Sequence, residues 1–103
     1  FALPLLEGES TLMVLPPVES AGYILMTLDA LRRSGINGRI ISTPREIQVG
    51  CGLSVQFDVR DLPRAMDIYR RHNPGNLIGF YRVTRQNGRT DVQPLGMQVG
   101  YNG

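Results

Sequence analysis

The order in which strand and helix patterns alternate is the feature that most constrains how this chain folds. Short apolar or period-two runs predict strands, and apolar residues three or four positions apart predict helices. The predicted elements are a strand at residues 10–15, a helix over 19–33, strands at 39–42 and 53–57, a helix over 61–71 and a strand at 77–85. This order predicts an α+β fold, the ferredoxin-like βαββαβ split sandwich. Since such crossovers are right-handed, the antiparallel sheet is expected to have strand order 4-1-3-2, with two helices on one face.

The first helix has the clearest pattern. Ile24, Leu28 and Leu31 recur at helical spacing, and Leu25 is expected to widen this apolar stripe. Basic residues in the last turn, followed by Gly35, are typical of a helix end.

An Asn-Gly pair after the last of these strands marks a hairpin. Asn87 and Gly88 favour the positive φ angles that a two-residue turn requires, so residues 90–95 are predicted as a possible C-terminal hairpin strand. The chain has 103 residues, which is enough for one domain. We expect an apolar leader at residues 1–9, the ferredoxin-like domain at 10–85, and the hairpin with a glycine-rich tail at 86–103.

Charge and sheet composition argue against a nucleic-acid partner. All eleven basic residues are arginines, they are dispersed, and the net charge is only +2. RNA binding through a sheet requires exposed aromatic side chains on its strands. The third strand is instead predicted to point Ser54 and Gln56 outward.

The remaining composition excludes a membrane span and a multi-cysteine site. No apolar run reaches the ~18–20 residues that cross a bilayer. The chain contains one cysteine, Cys51, so it forms no internal disulfide and no multi-cysteine metal site. We expect no metal and no cofactor. A single cysteine is compatible with a reducing, cytoplasmic location.

The predicted topology brings three connections to the same end of the sheet. They are residues 16–20, 43–52 and 72–76. Four chemically useful residues are therefore expected at one rim: Thr43, Arg45, Cys51 and His72. This rim is where we expect a functional site.

Two short motifs lie in the second of these connections. They are Thr43-Pro44-Arg45-Glu46 and Cys51-Gly52, and a Gly35-Ile36 step precedes them at the end of the first helix. With these motifs the chain resembles a small bacterial family called selenium/sulfur carrier protein-like, over about residues 11–82. The resemblance implies that Thr43, Pro44, Arg45, Cys51 and Gly52 form the site. Gln-Val-Gly at residues 48–50 departs from the small hydroxyl residues usual there.

Cys51 is the residue suited to carrying a sulfur or selenium atom. Such a role requires an accessible thiolate, and glycine on both sides leaves the sulfur uncovered. Arg45 and His72 at the same rim would favour the thiolate electrostatically. The alternative is that Cys51 is a small buried hydrophobe at a strand start.

The other candidate residues also have two interpretations each. Arg45 either binds an anion or partner carboxylate, or pairs with a local acid such as Glu46. Thr43 either caps a helical turn predicted over about residues 44–48 or contacts a ligand. His72 either belongs to the binding site or only interacts with the end of the second helix.

Two functions of different classes fit these residues. The first is a small Cys-dependent sulfur or selenium carrier, and the second is a non-catalytic accessory or regulatory subunit that docks on a larger enzyme complex. Both imply a protein partner, and either is more consistent with the sequence than a stand-alone enzyme. Edge strands at residues 39–42 or 77–85 could also pair with another chain and form an oligomer.

Overall fold

A computed structural model describes residues 3–15, 20–47, 52–72 and 79–95. Within these residues the elements are β1 (Gly8–Val14), α1 (Ser20–Arg33), β2 (Arg39–Ser42), β3 (Leu53–Phe57), α2 (Leu62–His72), β4 (Gly79–Gln86) and β5 (Arg89–Pro94). A single 3₁₀ turn, Val59–Asp61, leads into α2. The predicted α+β class is confirmed.

The described strands form one antiparallel sheet. Its order is β2-β3-β1-β4-β5. The observed order differs from the predicted four-stranded order by β5, which hydrogen-bonds to β4 along its length and forms one edge. The possible hairpin strand is therefore a full member of the sheet, and the finer assignment to the ferredoxin-like class stays a prediction.

The end of α1 follows the sequence signals closely. Gly35 has a φ of 87°, and the amide of Ile36 donates to the carbonyl of Leu31 at 3.0 Å. This 6→1 hydrogen bond is the Schellman arrangement, in which a residue with positive φ stops the helix. Leu25, however, is 56% exposed. The prediction that it widens the buried stripe is wrong, because it lies on the side of α1 that faces away from the sheet.

Both helices pack on the same face of the sheet, which we call the helix face. Strands and helices contribute one apolar cluster there: Met13, Leu15, Ile24, Leu28, Leu31, Ile36, Ile40, Val55, Phe57, Ala65, Ile68 and Phe80. In β3, for example, Val55 and Phe57 belong to this cluster and alternate with Ser54 and Gln56, which do not, as a period-two strand requires. Burial of these side chains supplies the main driving force for folding.

The opposite face, which we call the open face, is covered by irregular chain rather than by helices. Its smaller apolar cluster contains Leu12, Val14, Ile41, Ile47 and Val83, with Leu5 packed against it. The segment at residues 3–7 crosses this face before β1 begins. Since β1 starts at Gly8, its first two residues fall within the stretch predicted as a leader.

Polar side chains are buried beneath this cover. Gln56 donates to the hydroxyl of Ser10 at 2.8 Å and accepts from the backbone amide of Leu6 at 3.3 Å. Ser54 is fully buried and Gln56 is 1% exposed. The prediction that these two residues face outward to solvent is wrong, because residues 3–7 and 43–47 cover this face of the sheet.

The hairpin and the approach to α2 are held by local interactions. Asn87 and Gly88 have φ angles of 52° and 77°, which a type I′ turn between β4 and β5 requires. At the start of the 3₁₀ turn, a carboxylate oxygen of Asp58 accepts from the amide of Arg60 at 2.8 Å. Hydrogen bonds from the side chain and the backbone of Arg60 lower the pKa of Asp58 below its ordinary value.

None of the helices in the described residues is long and apolar enough to cross a membrane.

Candidate functional site

Four strands meet at the rim that the sequence singles out. Val14 ends β1 opposite Ser54 and Gly79, while Ser42 ends β2 opposite Leu53. The ends of β1 and β2 and the beginnings of β3 and β4 therefore lie together. Connections that bear the sequence motifs leave the sheet from this end.

The two motifs are joined directly at this rim. The backbone amide of Thr43 donates to the carbonyl of Gly52 at 3.1 Å, which continues the β2–β3 ladder by one residue pair. The side chain of Thr43 is 2.7 Å from Ser54, hydroxyl to hydroxyl. Gly52 itself is buried. These bonds fix the backbone on both sides of the connection between the motifs.

Residues 44–47 turn back over the open face. The amide of Ile47 donates to the carbonyl of Pro44 at 2.9 Å, which closes a four-residue turn. The predicted helical turn is absent over the described part of this stretch, since no helix is assigned between residues 44 and 47. The expectation that Thr43 caps it is also wrong, because the hydroxyl of Thr43 bonds to Ser54 instead.

Burial of Ile47 positions the charged corner of this turn. Ile47 is 3% exposed and belongs to the apolar cluster of the open face. Arg45 and Glu46 are exposed, and they lie between Thr43, which bonds to Gly52 and Ser54, and the buried Ile47. The sequence Thr-Pro-Arg-Glu-Ile thus places one guanidinium and one carboxylate at the surface on a turn with both ends held.

A shallow cleft lies beside this turn. It has a volume of about 350 Å³ and is lined by Pro4, Leu5, Ser42, Pro44, Arg45, Glu46, Arg85 and Thr90. Arg85 donates to the hydroxyl of Thr90 and lies 3.7 Å from a carboxylate oxygen of Glu7. Among the described side chains, Arg45 forms no ion pair with an acid, so the local pairing considered for it is not seen. An exposed guanidinium at the wall of a cleft can bind an anion or a carboxylate of a partner.

Two of the predicted site residues fall where the structure gives no side-chain description. Cys51 lies outside the described residues. His72 is the last residue of α2, and its side chain is likewise outside the description. Of the predicted set, the structure joins Thr43 to Gly52 and places Arg45 on the turn that follows Thr43. In the described part of the chain, no group of three or more His, Cys, Asp or Glu side chains could hold a metal ion.

Sequence reasoning missed three residues of this region. Ser54 is the partner of Thr43, while Arg85 and Thr90 line the cleft. The last two could have been found, because a two-residue Asn-Gly turn fixes the hairpin register and sets Arg85 opposite Thr90. No sequence pattern indicates the contact between Ser54 and Thr43.

Comparison with known protein families gives a match. A family model described as "Putative Se/S carrier protein-like" matches residues 18–81, which is more than half of the chain. No curated protein and no solved structure matches the sequence.

Proposed function

Since the chain belongs to the Se/S carrier protein-like family, we propose that it is a small carrier that accepts a sulfur or selenium atom on Cys51 and delivers it to a protein partner. The family match carries this proposal: it spans residues 18–81 and includes Cys51, the one cysteine of the sequence. A covalently held sulfur or selenium atom requires a nucleophilic thiolate, and the chain offers no other thiol.

The transfer we propose is a sulfur exchange with no net oxidation. The Cys51 thiolate attacks the outer sulfur of a donor persulfide, R–S–SH. A new S–S bond forms to Cys51, the S–S bond of the donor breaks, and the donor leaves as the thiolate R–S⁻. Delivery to an acceptor thiolate reverses this exchange, so no cofactor is required.

The anchored backbone beside Cys51 supports this role. Gly52, the next residue in the sequence, is buried and accepts a hydrogen bond from the amide of Thr43. We assign Thr43 and Gly52 the task of fixing the start of β3, on which a reproducible thiol position depends. The Thr43–Ser54 hydroxyl pair adds a second tie at the same place.

Arg45 is the binding residue that we propose for the donor or the protein partner. It is exposed, sits on a turn held by Ile47 and lines the cleft. A guanidinium there would attract an anionic group of the donor or a carboxylate of the protein partner. We give His72 a minor role of the same kind. The proposed setting is a reducing, cytoplasmic compartment, where the thiol stays available.

Loading with a small persulfide tests the carrier function. The purified chain is incubated with glutathione persulfide, freed of small molecules and measured by intact mass. We expect a gain of one sulfur atom that a thiol reductant removes, and no gain for Cys51→Ser. Arg45→Gln is expected to load more slowly, whereas Arg39→Gln, on β2 and not in the cleft, should load at the wild-type rate. Failure of the folded wild-type chain to gain sulfur would contradict the proposal.

The second candidate, an accessory subunit, rests on a different surface. Leu25 and Met26 on α1 are 56% and 69% exposed, and adjacent exposed apolar side chains often mark a protein contact. This function predicts that Cys51→Ser keeps full activity in the cell. Loss of function by Leu25→Glu with Met26→Glu, alongside a tolerated Cys51→Ser, would favour it over the carrier.

A further inference from the structure

The two edges of the sheet differ in how they are covered. On the outer side of β2, the amide of Leu3 donates to the carbonyl of Ile40 at 2.9 Å, and Leu3 forms a parallel bridge with Ile41. The outer side of β5 has no strand beside it among the described residues. A six-residue strand with one unpaired side is a template for another strand.

The hydrogen-bond phase of the hairpin shows which groups face outward from β5. The amide of Leu95 donates to the carbonyl of Phe80 at 2.9 Å, and the register pairs residues from Tyr81↔Pro94 to Gln86↔Arg89. In an antiparallel ladder the bonded residues alternate. Residues 89, 91, 93 and 95 therefore bond to β4, whereas Thr90 and Val92 direct their N–H and C=O groups away from the sheet.

The charged side chains of β5 are complementary to those of a second, antiparallel copy of the same strand. Arg89 and Asp91 are two residues apart, so their side chains project from the same face. Both are exposed, and neither forms an ion pair with a described residue. A strand with + and − at alternate positions pairs favourably with an antiparallel copy, whereas like charges there would repel it.

We propose that two copies of this chain associate through β5, antiparallel and centred on Thr90, so that the two sheets become continuous. At the two-fold axis, the amide of each Thr90 donates to the carbonyl of Thr90 in the other copy. Arg89 then lies opposite Asp91 of the second copy, and this contact occurs twice. These are non-hydrogen-bonded pairs, in which opposed side chains come closest, with Cα atoms about 4.5 Å apart. The proposal does not depend on the carrier function.

Charge selects this register over its neighbours. The hydrogen bonds between the two copies can form only between outward-facing residues, so Thr90 pairs with Thr90, Thr90 pairs with Val92, or Val92 pairs with Val92. These three pairings put the two-fold axis at Thr90, at Asp91 or at Val92. An axis at Asp91 would oppose the two carboxylates. An axis at Val92 would place Asp91 against Gln93 and leave Arg89 unpaired. The axis at Thr90 is the one that pairs both charges.

Sedimentation equilibrium over micromolar to millimolar concentrations, on the full chain, tests the proposal. We expect a reversible dimer whose dissociation constant rises with salt. Asp91→Arg sets guanidinium groups opposite each other and is expected to raise the dissociation constant at least about tenfold; Arg89→Asp does the same with carboxylates. The double variant Arg89→Asp/Asp91→Arg restores opposite charges and is expected to recover dimerisation to within about threefold.

Two further variants keep the test independent of folding. Thr90→Pro removes the central N–H donors, and because that N–H faces away from β4 the monomer should keep its circular dichroism spectrum while losing the dimer. Gln93→Arg is the matched control, since in this register Gln93 faces no charged residue; dimerisation should not change. A monomer at all concentrations would overturn the proposal. A dimer whose dissociation constant is the same in the charge-exchange variants would also overturn it. So would a dimer that Gln93→Arg strengthens, because that result indicates the axis at Val92.

Discussion

The helix face and the open face of the sheet are covered in different ways. On the helix face, two regular helices bury aliphatic side chains such as Leu31 and Phe80. On the open face, two irregular segments, residues 3–7 and 43–47, lie over a smaller apolar cluster and over polar side chains that include Gln56. One face is held mainly by apolar burial, and the other partly by specific hydrogen bonds.

This difference bears on how the proposed site is held in the fold. The turn that presents Arg45 belongs to the cover of the open face, anchored by Ile47. A turn attached by one buried side chain and a few hydrogen bonds can carry functional residues without disturbing the helical core. The following predictions test how far the two faces behave independently.

The largest loss of stability is expected on the helix face. Leu31→Ala removes a fully buried side chain from the main cluster and should lower the free energy of unfolding by about 2–5 kcal/mol. Leu25→Ala, the same substitution on the exposed side of α1, should change it by less than about 0.5 kcal/mol. Urea unfolding of both variants measures the two values, and equal effects would contradict the orientation of α1.

On the open face, Gln56→Ala should have an intermediate effect. It leaves the hydroxyl of Ser10 and the amide of Leu6 without their partner, at an expected cost of about 1–3 kcal/mol. Hydrogen exchange at the Leu6 amide should also become faster. Gln93→Ala, an exposed glutamine on β5, is the control and should leave both quantities unchanged. If exchange at Leu6 stayed the same in Gln56→Ala, the segment at residues 3–7 would not be held by this contact.

A smaller effect is expected at the tie between the two motifs. In a double-mutant cycle of Thr43→Val and Ser54→Ala, the coupling free energy should be about 1 kcal/mol, the net value of one hydrogen bond. Thr43→Ser retains the hydroxyl and should retain most of that coupling. A coupling near zero would show that the two side chains act independently.

The smallest contribution is expected at Asp58, outside both clusters. Its pKa is lowered in the folded chain by its hydrogen bonds with Arg60, so its stabilising effect is fully present above the unfolded value of 3.8. That effect is lost as the pH falls through the lower folded value. Asp58→Asn should therefore show a flatter decline of stability below about pH 4 than the wild type. Parallel acid-unfolding curves for the two proteins would argue against this role.

The helix face could be predicted from the sequence far better than the open face. The periodicity around Ile24, Leu28 and Leu31 and the hairpin signal Asn87-Gly88 describe local preferences, and the structure follows them. The prediction that Leu25 is buried was wrong because an apolar residue next to a buried stripe can still be exposed.

The open face required information that local patterns do not contain. Ser54 and Gln56 were predicted to face outward because they are polar and alternate with apolar residues. The segments that cover them have no regular hydrophobic period, so the sequence pattern does not predict this cover. Their burial depends on partners distant in sequence: Thr43 for Ser54, and Leu6 and Ser10 for Gln56. Of the candidate site, the motif positions were found from sequence, but the contact that joins Thr43 to Gly52 follows only from the β2–β3 register.

The rate of alkylation at Cys51 as a function of pH tests the carrier function most directly. The measurement compares the folded chain with the same chain in denaturant, using intact mass to follow the modification of this one cysteine. We predict that Cys51 reacts in the folded protein, and that its rate is half-maximal at a pH below the ordinary thiol pKa of ~8.5. A cysteine that is modified only after unfolding would contradict the carrier function.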